Sequence, residues 1–350
     1  MRQPLKLRGY SFSEATIDDY RLSGKLLSLR LETNYDCNLA CKYCYAPEIK
    51  KMNKNILSYK EQIEVIDQAK DMGIQSVVIV GPGEPLLFSH LKELVEYLSN
   101  NSIIPVIFSN LTLMTKELAK YLYEHNVSII GKLDGSKEIQ DKLCGDNVYD
   151  LINKGLEELL RVGYADLYDT NTTRLGLGCV VCSVNYKEIP ALWRSMRARK
   201  IFPNFEQVTT IGRADNSLDI SISEKIDLIN TLREIDEKEY KIEWKIPYSP
   251  IPAFQCCLFY VGTHLNLYGG ICPCPELPPI DSIRNNSLSS ILKSEEYNRI
   301  RKIEQHLQGK CADCIYNNYC YGCRSKAFRK YGSIFAEDPS CPMLYREVIV

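Results

Sequence analysis

The chain has 350 residues, 45% of them hydrophobic and 25% charged, with a formal net charge of −1. That length exceeds what one small core uses, so a large domain and a smaller one are expected. The balanced charge argues against a nucleic-acid partner, and the hydrophobic content excludes a disordered chain.

The anomaly is 15 cysteines. The start, MRQPLKLRGYSFSEATIDDY, lacks the apolar segment of a secretion signal, and no run is long enough to span a membrane. A cytoplasmic protein with reduced thiols and no membrane partner is therefore expected. An odd cysteine number argues against a disulfide framework and for thiolate metal ligands.

In chain order, residues 1–25 read as an N-terminal extension. Aliphatic or β-branched runs follow at 26–32, 75–80, 103–109, 127–133, 173–184 and 205–212, separated by longer amphipathic stretches. This alternation predicts βα units and a parallel sheet. The first helix is legible in LSYKEQIEVIDQAKDMG, with Ser58 as N-cap, Ile63, Ile66, Ala69 and Met72 on one stripe, and Gly73 as its stop. Six such units are too few for a closed eight-fold barrel. The expected fold over 26–245 is thus α/β, an open, TIM-like partial (βα)6 barrel.

Near 245 the texture changes, with Pro247, Pro250 and Pro252 close together and dense cysteines beyond them. Residues 246–350 read as a small domain held together by metal sites, with one helix near 293–310.

The cysteines fall in two groups. Cys37, Cys41 and Cys44 lie in TNYDCNLACKYCYAP, directly after the first strand. Three thiolates on one loop are one short of the four that close an iron–sulfur cubane, which leaves one iron open. Zinc would want a fourth protein ligand, and none follows nearby. The spacing, with Tyr43 before the last cysteine, resembles the cluster loop of the radical S-adenosylmethionine superfamily. That resemblance implies a 4Fe–4S cluster whose open iron binds S-adenosylmethionine, and reductive cleavage to a 5′-deoxyadenosyl radical. It also implies an electron donor such as flavodoxin or ferredoxin.

The second strand ends in GPGEPLL, which resembles the family's Gly-Gly-Glu-Pro element. By that resemblance Gly81, Gly83, Glu84 and Pro85 contact the methionine part of the cofactor, with Glu84 accepting its ammonium. Pro82 replaces the first glycine of the pattern. Ser109 and Asn110 on the third strand end, Lys132 and Asp134 on the fourth, and Gly212, Arg213 and Ala214 on the sixth are further candidates for cofactor or substrate contact. Lys132 could meet an anion of either, and it stands with Asp134 as a candidate catalytic group. GKLDG resembles the Ser-Leu-Asp-Gly stretch of peptide-modifying members, with Lys132 in place of a small residue.

The second group contains Cys311, Cys314, Cys320 and Cys323, spaced by two, five and two residues, and then Cys341. Upstream stand Cys256, Cys257, Gly269, Cys272 and Cys274. A zinc ribbon would separate its two hooks more widely. The pattern resembles the SPASM extension, which implies two auxiliary 4Fe–4S clusters. On that plan Cys311, Cys314, Cys320 and Cys341 hold the distal one. Cys274, Cys323 and one of Cys256 or Cys257 hold the proximal one, with Cys256, Cys257, Cys272 or substrate open as its fourth ligand.

Cys144, Cys179 and Cys182 are left over. Each is a candidate hydrogen-atom donor against the simpler reading of a small buried hydrophobe. Cys179 and Cys182 stand three apart on the expected strand, so one at most would face the barrel interior. The histidines form no metal-spaced pair, and hydrolytic chemistry is not expected.

The implied activity is oxidation, crosslinking or epimerisation of a peptide or protein. The alternative is dehydrogenation or epimerisation of a small sugar-like or antibiotic intermediate, and a more distant one is a non-catalytic iron–sulfur or zinc protein. The short stretch before the first strand leaves no room for a leader-peptide-binding domain, which counts against a peptide.

Overall fold

The computed structural model describes residues 3–47, 55–244, 256 and 258–341. Chain order begins with β1 (Lys6–Leu7), a helix (Glu14–Ser23) and β2 (Ser28–Glu32). β3 (Ser76–Val80), β4 (Ile104–Ser109), β5 (Ser128–Lys132), β6 (Thr172–Thr173), β7 (Leu175–Val181) and β8 (Phe202–Gln207) follow. Helices fill the intervals, and β9 (Gly262–Leu265), β10 (Gly270–Cys272) and β11 (Asp281–Ser282) come last.

Strands β2, β3, β4, β5, β7 and β8 lie side by side and parallel, which is the six-unit open barrel expected from the alternation. Their outward residues, among them Leu29, Leu31, Val77, Ile79, Ile107, Ile129, Leu175 and Leu177, are buried beneath the helices. The helix Tyr59–Asp71 shows how the sequence encodes that layer. Ser58 and Glu61 form a reciprocal capping box, and Val65, Ile66 and Ala69 are buried. Ile63 is only partly buried, and Gln62 takes the inner position.

Three details depart from expectation. The run at 173–184 splits, because Thr172–Thr173 pairs with β1 while Leu175–Val181 joins the barrel. The last barrel strand starts at Phe202 instead of 205, and Val208–Gly212 forms a loop. The region near 293–310 divides into a helix at Glu295–Arg301 and short turns at Ile303–Gln305 and Gly309–Cys311.

Segments from either side of the six strands in sequence are built into the barrel. β1 lays Leu7 against the inward residues Val78, Val106 and Ile130, and Tyr10 packs on Phe108 and Phe202. This plug fills the interior at the starting ends of the strands, so the opposite mouth is the accessible one. At the other edge β9 pairs in parallel with β2, then antiparallel with β10, so the barrel sheet runs continuously into the C-terminal region.

Candidate active site

The loop after β2 is held at the barrel mouth by backbone contacts that only glycine permits. A Cβ on Gly83 would lie 2.6 Å from the Asp36 carbonyl oxygen and 2.8 Å from that of Asn34. Gly83 N–H donates to Asn34 O, and Glu84 N–H donates to Asp36 O. On the other flank Gly212, at φ +67°, brings the Arg213 N–H to the Cys44 carbonyl at 2.9 Å. Arg213 itself is exposed, so its contribution to this loop is its backbone.

Glu84 is almost fully buried and binds the ends of two strands together. Its carboxylate accepts from Ser109 Oγ at 2.7 Å, Asn110 N at 2.8 Å and Leu86 N at 3.0 Å. Burial raises its pKa, outweighing those donors. The expected role as acceptor for a cofactor ammonium is therefore narrowed. Oε2 takes only Asn110 N–H, and one acceptor position of the carboxylate is left there. Pro85 begins the short turn Pro85–Leu87. Asn110 reaches across the mouth, with Nδ2 donating to Asn38 Oδ1 inside the cysteine loop.

Tyr43 is the loop's second anchor. Its hydroxyl donates to Asp134 Oδ2 at 2.5 Å, and Lys132 Nζ lies 4.6 Å from its ring centre and 3.0 Å from Asp134 Oδ1. Asp134, fully buried, also accepts from Val180 N at 2.9 Å. Burial and the neighbouring Asp134 raise the Tyr43 pKa well above the ordinary tyrosine value. Burial works to lower that of Lys132, but the charge of Asp134 and more distant acidic groups carries it upward, so the ammonium form is held. Cys144 joins this node. Its thiol bonds to Cys41, which lowers the pKa of Cys41 and raises its own, and it lies 3.3 Å from the Tyr43 hydroxyl.

Inside the mouth, alternation along β2, β5 and β8 turns Arg30, Lys132 and Glu206 inward, each only partly buried, and these side chains line the chamber of the barrel. The charge of Glu206 is felt by Arg30, Lys132, Tyr45 and Glu276. Tyr45 links the chamber to Cys44 on one side, and Arg30 links it to Cys256 and Cys274 on the other. Burial raises the Glu276 pKa, against the opposing influence of the nearby Ser325 and Thr209 hydroxyls. Arg30, Tyr45, Glu206 and Glu276 were not singled out from sequence. The signal was present in LLSLRLE, because a strand flanked by parallel neighbours normally reads as continuously apolar. Arg30 alternates with Leu29 and Leu31 and so faces inward.

The thiols sort by environment. Cys37, Cys41, Cys44, Cys256, Cys274, Cys311, Cys314, Cys320, Cys323 and Cys341 are free and at least partly accessible, while Cys144, Cys179, Cys182 and Cys272 are buried. All of the accessible ones but Cys314 fall into three neighbourhoods. Cys37 interacts with Cys41 and Cys44, Cys274 with Cys256 and Cys323, and Cys320 with Cys311 and Cys341. Backbone N–H groups point at several of the sulfurs. Leu39 N donates to Cys37, Gly322 N to Cys320 and Asp338 N to Cys311, at 3.3–3.5 Å. Sulfur-rich, N–H-lined neighbourhoods of this kind fit iron–sulfur clusters. Among the described residues, no three ligating side chains are drawn tightly enough to hold a metal ion as they stand, so the fit rests on donor chemistry and proximity.

Three sequence expectations change here. Cys272 faces Asn266 and the field of Glu32, away from the Cys256, Cys274 and Cys323 neighbourhood, so it drops out as a fourth ligand. Cys179 and Cys182 both lie in the apolar layer beneath the helices, because β7 ends at Val181 and Cys182 sits past the strand. Neither faces the barrel interior as a hydrogen donor would. Cys257 lies outside the described residues.

A barrel mouth holding a three-cysteine loop, joined through one sheet to further cysteine sets, is the layout of an α/β iron–sulfur protein. The model for the radical SAM superfamily matches residues 31–178, and that for the SPASM iron–sulfur cluster-binding domain matches 256–315. The chain belongs to the radical SAM superfamily and carries a C-terminal SPASM domain. Its cofactors are S-adenosylmethionine, the radical SAM 4Fe–4S cluster and auxiliary 4Fe–4S clusters.

Among similar proteins is the AdoMet-dependent heme synthase of Oleidesulfovibrio alaskensis, 27% identical over 340 residues, covering 89% of this chain and 85% of that one. The Fe-coproporphyrin III synthase of Methanosarcina barkeri is 26% identical over 357 residues, covering 89% and 86%. The solved structure of native anSMEcpe with bound AdoMet and Cp18Cys peptide shares the fold. Its TM-score is 0.72 at 16% identity, covering 92% of this chain and 95% of that one. Among the described residues, no helix is long and apolar enough to cross a membrane.

Proposed function

We propose that this protein is a radical SAM oxidoreductase acting on a tetrapyrrole of the kind named in its full-length relatives. The observation that supports the reading is the set of inward charged side chains Arg30, Lys132 and Glu206, with Tyr45 in the field of Cys44 on one side and Arg30 in that of Cys256 and Cys274 on the other. A substrate there would stand between the source of the radical and an acceptor for its electron. The relatives named for heme and Fe-coproporphyrin III supply the substrate class.

Cys37, Cys41 and Cys44 would hold the radical SAM cluster. Cys256, Cys274 and Cys323 would serve the inner auxiliary cluster, and Cys311, Cys314, Cys320 and Cys341 the outer one. With S-adenosylmethionine bound, the first cluster supplies a 5′-deoxyadenosyl radical that removes a substrate hydrogen atom. The chain's own work is positional. Gly81, Gly83 and Gly212 let backbone press the loop into place, and Tyr43, tied to Asp134 and Lys132, fixes its inner side. The β1 plug, with Leu7 and Tyr10, excludes water from the far end of the barrel. Glu276, held toward its protonated form by burial, is the chamber group suited to exchange a proton with product.

A peptide substrate is the second reading, favoured by the fold shared with anSMEcpe, whose structure holds a peptide. Anaerobic reconstitution followed by a dithionite-driven assay separates the two. Release of 5′-deoxyadenosine with consumption of Fe-coproporphyrin III supports the first. Turnover dependent on a peptide and indifferent to the tetrapyrrole would overturn it.

A further inference from the structure

We propose that Arg30 is the carboxylate anchor of the chamber, the residue that seizes an acidic side chain of the substrate and so sets which molecules are accepted. The inference rests on the tetrapyrrole reading and adds to it a binding residue and the group that residue recognises.

Arg30 sits at the centre of β2 and shares its inward face with Ser28 and Glu32. A guanidinium carries five N–H donors. Among the described residues one hydrogen bond is made, from Nη2 to Tyr10 Oη at 3.3 Å, and the Tyr10 ring lies 5.8 Å from the guanidinium carbon. Among the described residues no carboxylate is within ion-pair distance of it. Glu206 acts on it only from farther away, and its Oε1 accepts instead from Asn204 Nδ2 at 3.3 Å.

Elsewhere this fold gives an enclosed guanidinium closer partners, although Arg324 Nε and two nitrogens of Arg301 are left without one. Arg197 meets Asp236 through Nε at 2.9 Å and Nη2 at 2.6 Å, and Arg324 donates to the carbonyls of Ile334 and Ala336. Arg30 is only partly buried on the inward face of β2, with donor capacity to spare. A desolvated cation without a counter-ion is costly, and the fork geometry of arginine matches a carboxylate through two parallel hydrogen bonds. Lys132 cannot take this role, because Asp134 already neutralises it. Arg30 also lies in the electrostatic reach of Cys256 and Cys274, so a carboxylate held on it is placed on the inner-cluster side of the chamber.

The test measures anaerobic binding of Fe-coproporphyrin III and of its tetramethyl ester to reconstituted enzyme, comparing wild type with Arg30→Gln and Arg30→Lys. Wild type should prefer the acid. Arg30→Gln should weaken the acid by about 10- to 100-fold and leave the ester unchanged, the scale of losing a charge-assisted hydrogen-bonded pair. Arg30→Lys, which keeps the charge and loses the fork, should fall between. Unchanged iron content reports that the variants are folded.

Equal binding of the acid by wild type and Arg30→Gln overturns the anchor and leaves the tetrapyrrole reading standing. So does an equal loss for acid and ester. A shifted midpoint potential of an auxiliary cluster with binding unchanged would assign Arg30 to the iron–sulfur site instead. Failure of wild type to bind either tetrapyrrole overturns the substrate reading and the anchor with it.

Discussion

Replacing Asp134 tests whether the cysteine loop is held by a buried ionic node. Asp134 is fully buried and its carboxylate accepts from Tyr43 Oη, Lys132 Nζ, Val180 N and, at 3.8 Å, Cys144 Sγ. Alanine would take the acceptor from all of these donors, one of them a largely enclosed ammonium, while Tyr43 keeps a contact to Cys144. Removing one member of a buried pair typically costs about 3–5 kcal/mol. Asparagine keeps a carbonyl for Val180 N–H and Lys132 but not the charge, so about 1.5–3 kcal/mol is expected for Asp134→Asn. In a chain this long that corresponds to a fall in melting temperature on the order of 5 °C. The node also fixes Tyr43, so S-adenosylmethionine cleavage should fall more steeply than stability does. The measurements are anaerobic thermal denaturation and 5′-deoxyadenosine release by reconstituted wild type, Asp134→Asn, Lys132→Met and the double variant. The double variant should be less damaged than the two single effects added together, by about 1–3 kcal/mol. Strict additivity, or an Asp134→Asn enzyme with unchanged melting and cleavage, would refute the node.

Other outcomes follow from named contacts. Gly83→Ala would drive a Cβ into the backbone of Tyr35 and Asp36, at 2.6–2.7 Å, so cleavage of S-adenosylmethionine should be lost while auxiliary-cluster iron is retained. Iron counting should give about 12 atoms for three cubanes, falling by about four when Cys37, Cys41 and Cys44 are all replaced by alanine. Cys272→Ala should leave the count unchanged, whereas Cys274→Ala should lower it. If Cys272→Ala removes iron, the separation of buried from accessible thiols is wrong. Asp236→Ala should destabilise by about 3–5 kcal/mol, because it strands Arg197 and the indole N–H groups of Trp193 and Trp244. Soluble protein melting as wild type does would contradict that.

The barrel was legible because its sheet obeys one local rule. The outer face of each strand must be aliphatic to pack on helices, and runs such as QSVVIV and IIPVIFS state that directly. The cysteine loop was legible because ligand chemistry fixes residue type and spacing together. The lumen was not, since an inward Arg30 or Glu206 has meaning only once the strands are placed around it. Glu84 was legible only in part for a related reason. Its motif points to a carboxylate for the cofactor, while the donors Ser109 and Asn110 that share it come from the next strand, and nothing local reveals them. For Cys179 and Cys182 the sequence limits the inward-facing ones to at most one, and that neither faces in depends on where β7 ends, which alternation alone does not state.

The continuity between barrel and C-terminal region was also invisible in the sequence, and it governs how the site is assembled. β9 docks on β2 with His264 opposite Arg30. Two residues on, Glu32 clasps the join, with Oε1 3.1 Å from His264 Nε2 and Oε2 accepting from Leu267 N at 3.0 Å. Both Glu32 and His264 are fully buried, so the clasp resists water and holds the register. β2 therefore does three things within ten residues. It carries Arg30 into the chamber, locks the strand leading to Cys274 against its edge, and releases the loop that begins toward Cys37. A separately folded module tethered by a linker would let the inner thiol set drift relative to the radical loop. A shared strand does not, and electron transfer out of a substrate radical needs that fixed spacing.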